Sequence, residues 1–238
     1  MSTQKIVPLN KNTHAKLKIK STANFSHVAQ QHLIPVVVQE FIPVSSSFPI
    51  IFVKESAESE NFVPVALMGL TKGENLYVNS ERYDEIYVPA ALRNYPLSIA
   101  GDEEKGQFFV CIDESSELVN EDEGTALFND DGSETEYLQK RRDFTGKFIE
   151  NMQTTKSFMK FLQDNELLVS NDLTVKIDSG ETFNLNGIFR VDEEKLAGLD
   201  EAKFEDMRKR GALPAIYAHL NSLQQVQRVA KRKAAATA

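Results

Sequence analysis

The chain has 238 residues, 41% of them hydrophobic and 26% charged, with 27 basic and 35 acidic side chains. A chain of this length and composition buries roughly 70–75% of its unfolded surface, so bulk disorder is excluded. The net charge of −8 argues against a general nucleic-acid binder, and the single cysteine, Cys111, cannot build an internal disulfide.

Residues 1–30 form a basic N-terminal segment in which Lys5, Lys11, Lys16, Lys18 and Lys20 precede any acidic residue. No apolar h-region follows, and the run Ile34 to Val38 is far below the ~20 residues of a membrane span. The expectation is a cytoplasmic protein with no membrane span.

The first half reads as short strands. Val36 to Ile42, Phe48 to Val53, Phe62 to Met68, Asn75 to Val78 and Gln107 to Ile112 are rich in Val, Ile, Phe and Tyr. Gly73, in Lys72–Gly73–Glu74, supplies a positive φ for a hairpin turn. Pro35, Pro43, Pro49 and Pro64 call for edge positions, strand starts or bulges, because proline donates no ladder hydrogen bond. Val88 to Pro96 predicts one short helix with Pro89 in its first turn and Pro96 ending it.

From Asp113 to Glu136 the chain carries ten acids and no base. Without the Asp/Asn alternation of a calcium loop, this reads as a solvated loop. Ser133 to Glu136 has the spacing of a capping box. A long helix follows with Leu138, Phe144, Phe148, Ile149 and Met152 as core stripe, continued by Phe158, Met159 and Leu162 after a break near Thr154 or Thr155. Leu173 to Ile177 and Glu181 to Ile188 alternate as a hairpin about Asp178–Ser179–Gly180. Asp192 and Asp200 are expected N-caps, Gly211 a helix stop, and Pro214 part of the first turn of a last helix. In that helix Leu213, Ile216, Tyr217, Leu220 and Leu223 form one apolar face, with His219 beside it. The tail from Arg228 onward is expected to fray.

Dinucleotide, Walker, nucleophile-elbow and zincin motifs do not occur in the sequence. None of His14, His27, His32 and His219 begins an H-x-D or H-x-E pair, so no metal and no cofactor is expected. Cys111, flanked by Phe108, Phe109, Val110 and Ile112, reads as a buried strand residue rather than a nucleophile served by His219. One constellation is left as a binding set: Arg93, Tyr95, Asp113, Glu114, Tyr217 and His219. Arg93 with Asp113 reads as a structural ion pair, with a carboxylate-binding arginine as the functional alternative.

Several stretches together resemble the bacterial SapC family. They are Pro64 to Leu70 (PVALMGL), Gly73 to Val78 (GENLYV), Tyr87 to Pro96 (YVPAALRNYP), Val110 to Glu114 (VCIDE), Ala126 to Gly132 (ALFNDDG), Gly187 to Leu196 (GIFRVDEEKL) and Leu213 to Leu223 (LPAIYAHLNSL). The likeness runs from about Ile34 to Arg228, with Leu97 after Tyr95–Pro96 where relatives tend to carry Phe. The resemblance implies a link to paracrystalline surface layers and to outer-membrane uptake systems, and it brings no reaction with it. A transporter permease shares the family's name, but this sequence has no apolar stretch long enough to be that protein.

The reading is a single α+β domain over 31–228, followed by a basic, Ala-rich tail at 229–238. It has an irregular antiparallel sheet in its N-terminal half, and helices plus one β-hairpin in its C-terminal half. The leading function is a non-catalytic binding or accessory protein with a protein or small-molecule partner. The alternatives are an enzyme with a site around Arg93, Asp113, Glu114 and His219, and a structural or secretion component of a surface layer.

Overall fold

The computed structural model describes residues 5–21, 25–78, 83–102 and 107–237. Residues 1–4 and 22–24 of the basic segment, and Ala238 of the tail, lie outside the described residues. The chain opens with strands β1 (Ile6–Pro8), β2 (Lys18–Ile19) and β3 (Leu33–Pro35), helix α1 (Phe41–Ser45), and strands β4 (Ile50–Lys54) and β5 (Phe62–Leu67). Next come α2 (Ala90–Arg93), β6 (Leu97–Asp102), β7 (Gln107–Asp113), β8 (Val119–Asn120), β9 (Thr125–Ala126) and the 29-residue α3 (Glu136–Asp164). Strands β10 (Leu168–Ser170), β11 (Leu173–Lys176), β12 (Thr182–Leu185) and β13 (Ile188–Val191) precede α4 (Glu193–Ala197), α5 (Glu201–Lys209), α6 (Ala212–Ser222) and α7 (Val226–Thr237). The described strand pairs are antiparallel, and the fold is α+β.

The chain forms two compact units, one of residues 1–23 with 92–150 and the other of residues 24–91 with 151–238. In the first, β7 lies between β1 and β6, and β2 lies between β8 and β9. Its core gathers Ile19, Leu97, Ile112, Leu127, Phe128 and Leu138. The basic N-terminal segment thus contributes two strands to this unit.

The second unit holds a five-stranded sheet in the order β10-β13-β4-β5-β3, together with the two-stranded hairpin β11-β12. Central strand β4 is covered on both faces, so Ile50, Ile51 and Phe52 are consecutive and fully buried. Ile51 packs with Val65, Leu67 and Ile188, against which Leu173 and Leu185 of the hairpin rest. Phe52 faces Phe41 of α1 and His219 of α6. Pro64 lies in β5 beside the end of β3, where its carbonyl accepts the Val36 amide (3.1 Å) and its ring nitrogen offers no N–H in return.

Several expected elements differ. Val36 to Ile42 is not a strand: a 3-10 turn at Val38–Glu40 leads into α1. Its amides bond to side chains, Val37 to Glu40 Oε1 (3.0 Å) and Val38 to Thr155 Oγ1 (2.9 Å), which satisfies the backbone locally. Asn75 to Val78 is a turn rather than a strand, because Asn75 Oδ1 accepts the Tyr77 amide (3.0 Å). Gly73 takes its positive φ of 89° there, ahead of this turn rather than of a strand. Helix α3 starts after Thr135, whose Oγ1 accepts the Leu138 amide (3.3 Å), and not at a Ser133 capping box. Ser133 instead bonds back to Asn129 through its carbonyl (2.8 Å).

Nor does α3 break near Thr155. That hydroxyl donates to the Asn151 carbonyl (2.7 Å), within the helical ladder. Along α3, Leu138, Phe158, Met159 and Leu162 are buried as expected. Phe144 and Phe148 are only half-buried and Met152 is exposed, so the middle of that stripe is not core.

The hairpin stands as β11 and β12, but Ile188 begins a separate strand, β13, that joins the main sheet. Asp192 caps α4 through the amides of Glu194 and Lys195, and Asp200 caps α5 through Lys203. Gly211, at φ 70°, separates α5 from α6. Residues 229–237 are helical rather than frayed. In α7 Arg232 donates to Asp84 Oδ2 and the Asp84 carbonyl (both 2.8 Å) and lies 4.3 Å from the Tyr77 ring centroid, while Lys233 meets Glu74 (2.8 Å). Among the described residues no helix is long and apolar enough to cross a membrane.

Candidate functional site

Strand β7 carries its apolar run into Asp113 and Glu114, where chain direction changes. Asp113 is buried, and its Oδ1 accepts the amides of Lys5 and Ser115 (both 3.1 Å) and the Ser115 hydroxyl (2.6 Å). Its Oδ2 accepts the Tyr95 hydroxyl (3.3 Å). Burial, followed by this neighbouring carboxylate, pushes the Tyr95 phenol above its usual value. Tyr95 and Asp113 are thus brought together.

Glu114 meets Lys5 Nζ (2.6 Å) and His14 Nε2 (3.1 Å), and these hydrogen bonds, Lys5 first, hold its carboxyl below the usual range. His14 is itself buried, and its Nδ1 accepts the Asn10 amide (2.9 Å). That bond fixes the tautomer: Nε2 carries the proton and donates it to Glu114. The pair has the outline of a carboxylate–imidazole dyad, but the nitrogen a substrate or nucleophile would need is already bonded to backbone.

Arg93 is the exposed last residue of α2, and its carbonyl accepts a hydrogen bond from Arg141. Among the described residues no ion pair joins it to Asp113 or Glu114, so the expected Arg93–Asp113 bridge is replaced by the contacts above. Cys111 is buried in β7, where burial raises its thiol pKa.

The remaining two candidates sit in the second unit. His219 is not beside the buried face of α6 but at its centre, completely buried. Nδ1 donates to the Ile50 carbonyl (2.9 Å), the Val191 amide donates to Nε2 (3.1 Å), and the ring stacks on Phe52 at 4.3 Å. Burial, with Arg190 adding to it, lowers its pKa to about 4. It is a neutral brace tying α6 to β4 and β13. The face it centres is made of Ala212, Ala215, Ile216, Ala218 and Ser222. Tyr217, two residues from His219 and so on the other side of the helix, is half exposed, and Leu220 is only half-buried.

Each unit also has an open concave surface. In the first, a groove of about 580 Å³ lies between β7 and α3, with Phe108, Val110 and Ile149 among its apolar lining and Lys11, Glu134 and Arg142 as its charged groups. In the second, a groove of about 400 Å³ is lined by Val38, Ile42, Phe158, Phe161 and Arg210, among others. Ile42 is 64% exposed there. Sequence reading placed no candidate residue in either groove. The signals it passed over were a glycine, Gly146, inside the long helix and a lysine, Lys11, just after β1.

Among the described residues no cluster of His, Cys, Asp and Glu could hold a metal ion. What fold and geometry define is an α+β protein whose acid–base groups are bonded within each unit, and whose open surfaces are mainly apolar. The chain belongs to the SapC family, whose model matches residues 9–229. No curated protein and no solved structure matches it.

Proposed function

We propose that this SapC protein is a non-catalytic binding or accessory protein of the cytoplasm, serving a surface-layer or outer-membrane uptake system. The observation that carries the binding reading is how its reactive groups are used. Asp113, Glu114, His14 and His219 direct their polar atoms at partners within their own unit, while each unit keeps an open apolar groove. Grooves with apolar floors and few polar groups suit capture of a ligand by desolvation. The surface-layer and uptake link rests on family kinship alone. The net charge of −8 favours a protein or small-molecule partner over a nucleic acid.

The test is a thermal-shift screen with anionic, neutral and cationic amphiphiles, followed by mass analysis of each hit after long incubation with the protein. A binding protein raises its melting temperature with a hit and returns it unchanged. Conversion of a hit to a new mass would contradict the reading.

A further inference from the structure

The core of the first unit stays open at one end. On β7, the face that buries Ile112 continues through Val110 to Phe108, both half-buried. On α3, the face that buries Leu138 continues at i+4, i+8 and i+11 through Arg142, Gly146 and Ile149. These two faces line the groove of about 580 Å³, a volume within the range of small-molecule sites.

Gly146 keeps that space open. A Cβ built on it meets nothing within 4 Å, so neither packing nor a close backbone approach requires glycine. Its φ is not positive either, since it stands inside a regular helix. Glycine at a helix interior is a poor helix former. What it provides here is room.

The charges at the groove are Lys11, Arg142 and Glu134. Arg142 pairs with Glu134. Among the described residues Lys11 makes no ion pair. An acidic chain therefore places one net positive charge, on an uncommitted lysine, beside an apolar trough.

We propose that this groove binds a small apolar carboxylate, a free fatty acid in chemical class, with its chain along Phe108, Val110 and Ile149 and its carboxylate at Lys11. The assignment rests on the binding-protein reading and names the ligand class. Affinity comes chiefly from the buried hydrocarbon; the exposed lysine contributes selectivity for the head group and only a modest part of the binding.

The experiment is isothermal titration at pH 8 with decanoate and decylammonium below their micelle concentrations and decan-1-ol below its solubility limit. Wild type is expected to bind one decanoate per chain, about threefold to fivefold more tightly than decan-1-ol, with decylammonium weakest. Gly146→Leu is expected to weaken decanoate tenfold or more while melting no lower than wild type. Lys11→Glu should weaken decanoate severalfold and leave decan-1-ol unchanged. Equal binding by Gly146→Leu, or decylammonium binding as well as decanoate, would overturn the proposal. No saturable decanoate binding would also overturn the ligand assignment, yet leave the binding-protein reading standing. Chemical conversion of decanoate would instead sink that reading.

Discussion

In the first unit a buried histidine, His14, donates to a carboxylate at the surface; in the second, His219 meets backbone groups and a phenyl ring and is fully enclosed. The same contrast runs through both units. The first has two three-stranded sheets, a compact apolar core and a set of side-chain hydrogen bonds around Asp113 and Glu114. The second has a five-stranded sheet whose central strand is buried on both faces, with aromatic contacts among Phe41, Phe52, Phe158 and His219. Polar fastening leaves room at the edge of a small core, and it is there that a lysine and a glycine border an open groove. Dense packing leaves no such freedom around His219.

The contrast can be broken most forcefully at Phe52. Phe52→Ala removes the ring between α1, α6 and the sheet, and is expected to cost about 3–5 kcal/mol. Urea unfolding followed by circular dichroism checks it; a loss below 1 kcal/mol would mean that packing does not dominate the second unit.

Acid should separate the two histidine environments next. His219 has a pKa of about 4 in the folded chain, below its unfolded value of 6.5, so the unfolded state binds the extra proton between these values. Its contribution is complete above pH 6.5 and falls by roughly 3 kcal/mol as pH drops to about 4. A His219→Gln variant should be less stable at pH 7 but show a flatter stability profile across that window. Glu114 has the carboxylate sign: its folded pKa is lowered, so its contribution is present above the unfolded value and is lost as pH falls through the folded one. Chemical denaturation at half-unit steps from pH 4 to 7.5 resolves the His219 slope, and equal slopes in wild type and variant would refute it.

Asp113→Asn tests the polar fastening directly. The substitution turns one acceptor oxygen into a donor facing the Lys5 and Ser115 amides or the Tyr95 hydroxyl, at a cost of about 1–3 kcal/mol. Local hydrogen exchange should rise at residues 5–7, where β1 is held against β7. Unchanged exchange there would place the fastening elsewhere. The smallest change expected has the opposite sign: Gly146→Ala should stabilise by about 1 kcal/mol, because the added methyl meets open space and alanine favours the helix. A lower melting temperature would show that the groove is less open than its geometry indicates.

Much of the fold was legible where local chemistry and tertiary demand agree. The hairpin about Gly180, the caps at Asp192 and Asp200 and the stop at Gly211 follow from turn and capping rules and stand in the structure. Failures came where side chains satisfy backbone amides, at short range as Asn75 does for Tyr77 or across the chain as Thr155 does for Val38. An apolar run such as Val36 to Ile42 fits a strand or a helical turn equally until that partner is known. His219 was misplaced on its helix because five apolar residues suggested a face one step away from the one that small residues bury. The candidate residues Tyr95 and Asp113 do meet, but the partner that fixes Glu114, His14, lies a hundred residues away in sequence. No local pattern announces such a pair. Lys11 and Gly146 were invisible for a different reason, since an opening between a strand and a helix leaves no periodic trace.

The binding role of the first unit's groove is tested most directly by hydrogen–deuterium exchange with and without decanoate. The expected result is protection confined to β7 and to the turn of α3 around Gly146, absent in Gly146→Leu. Protection that instead appeared around Ile42 and Phe161 of the second unit, or that persisted in Gly146→Leu, would contradict it.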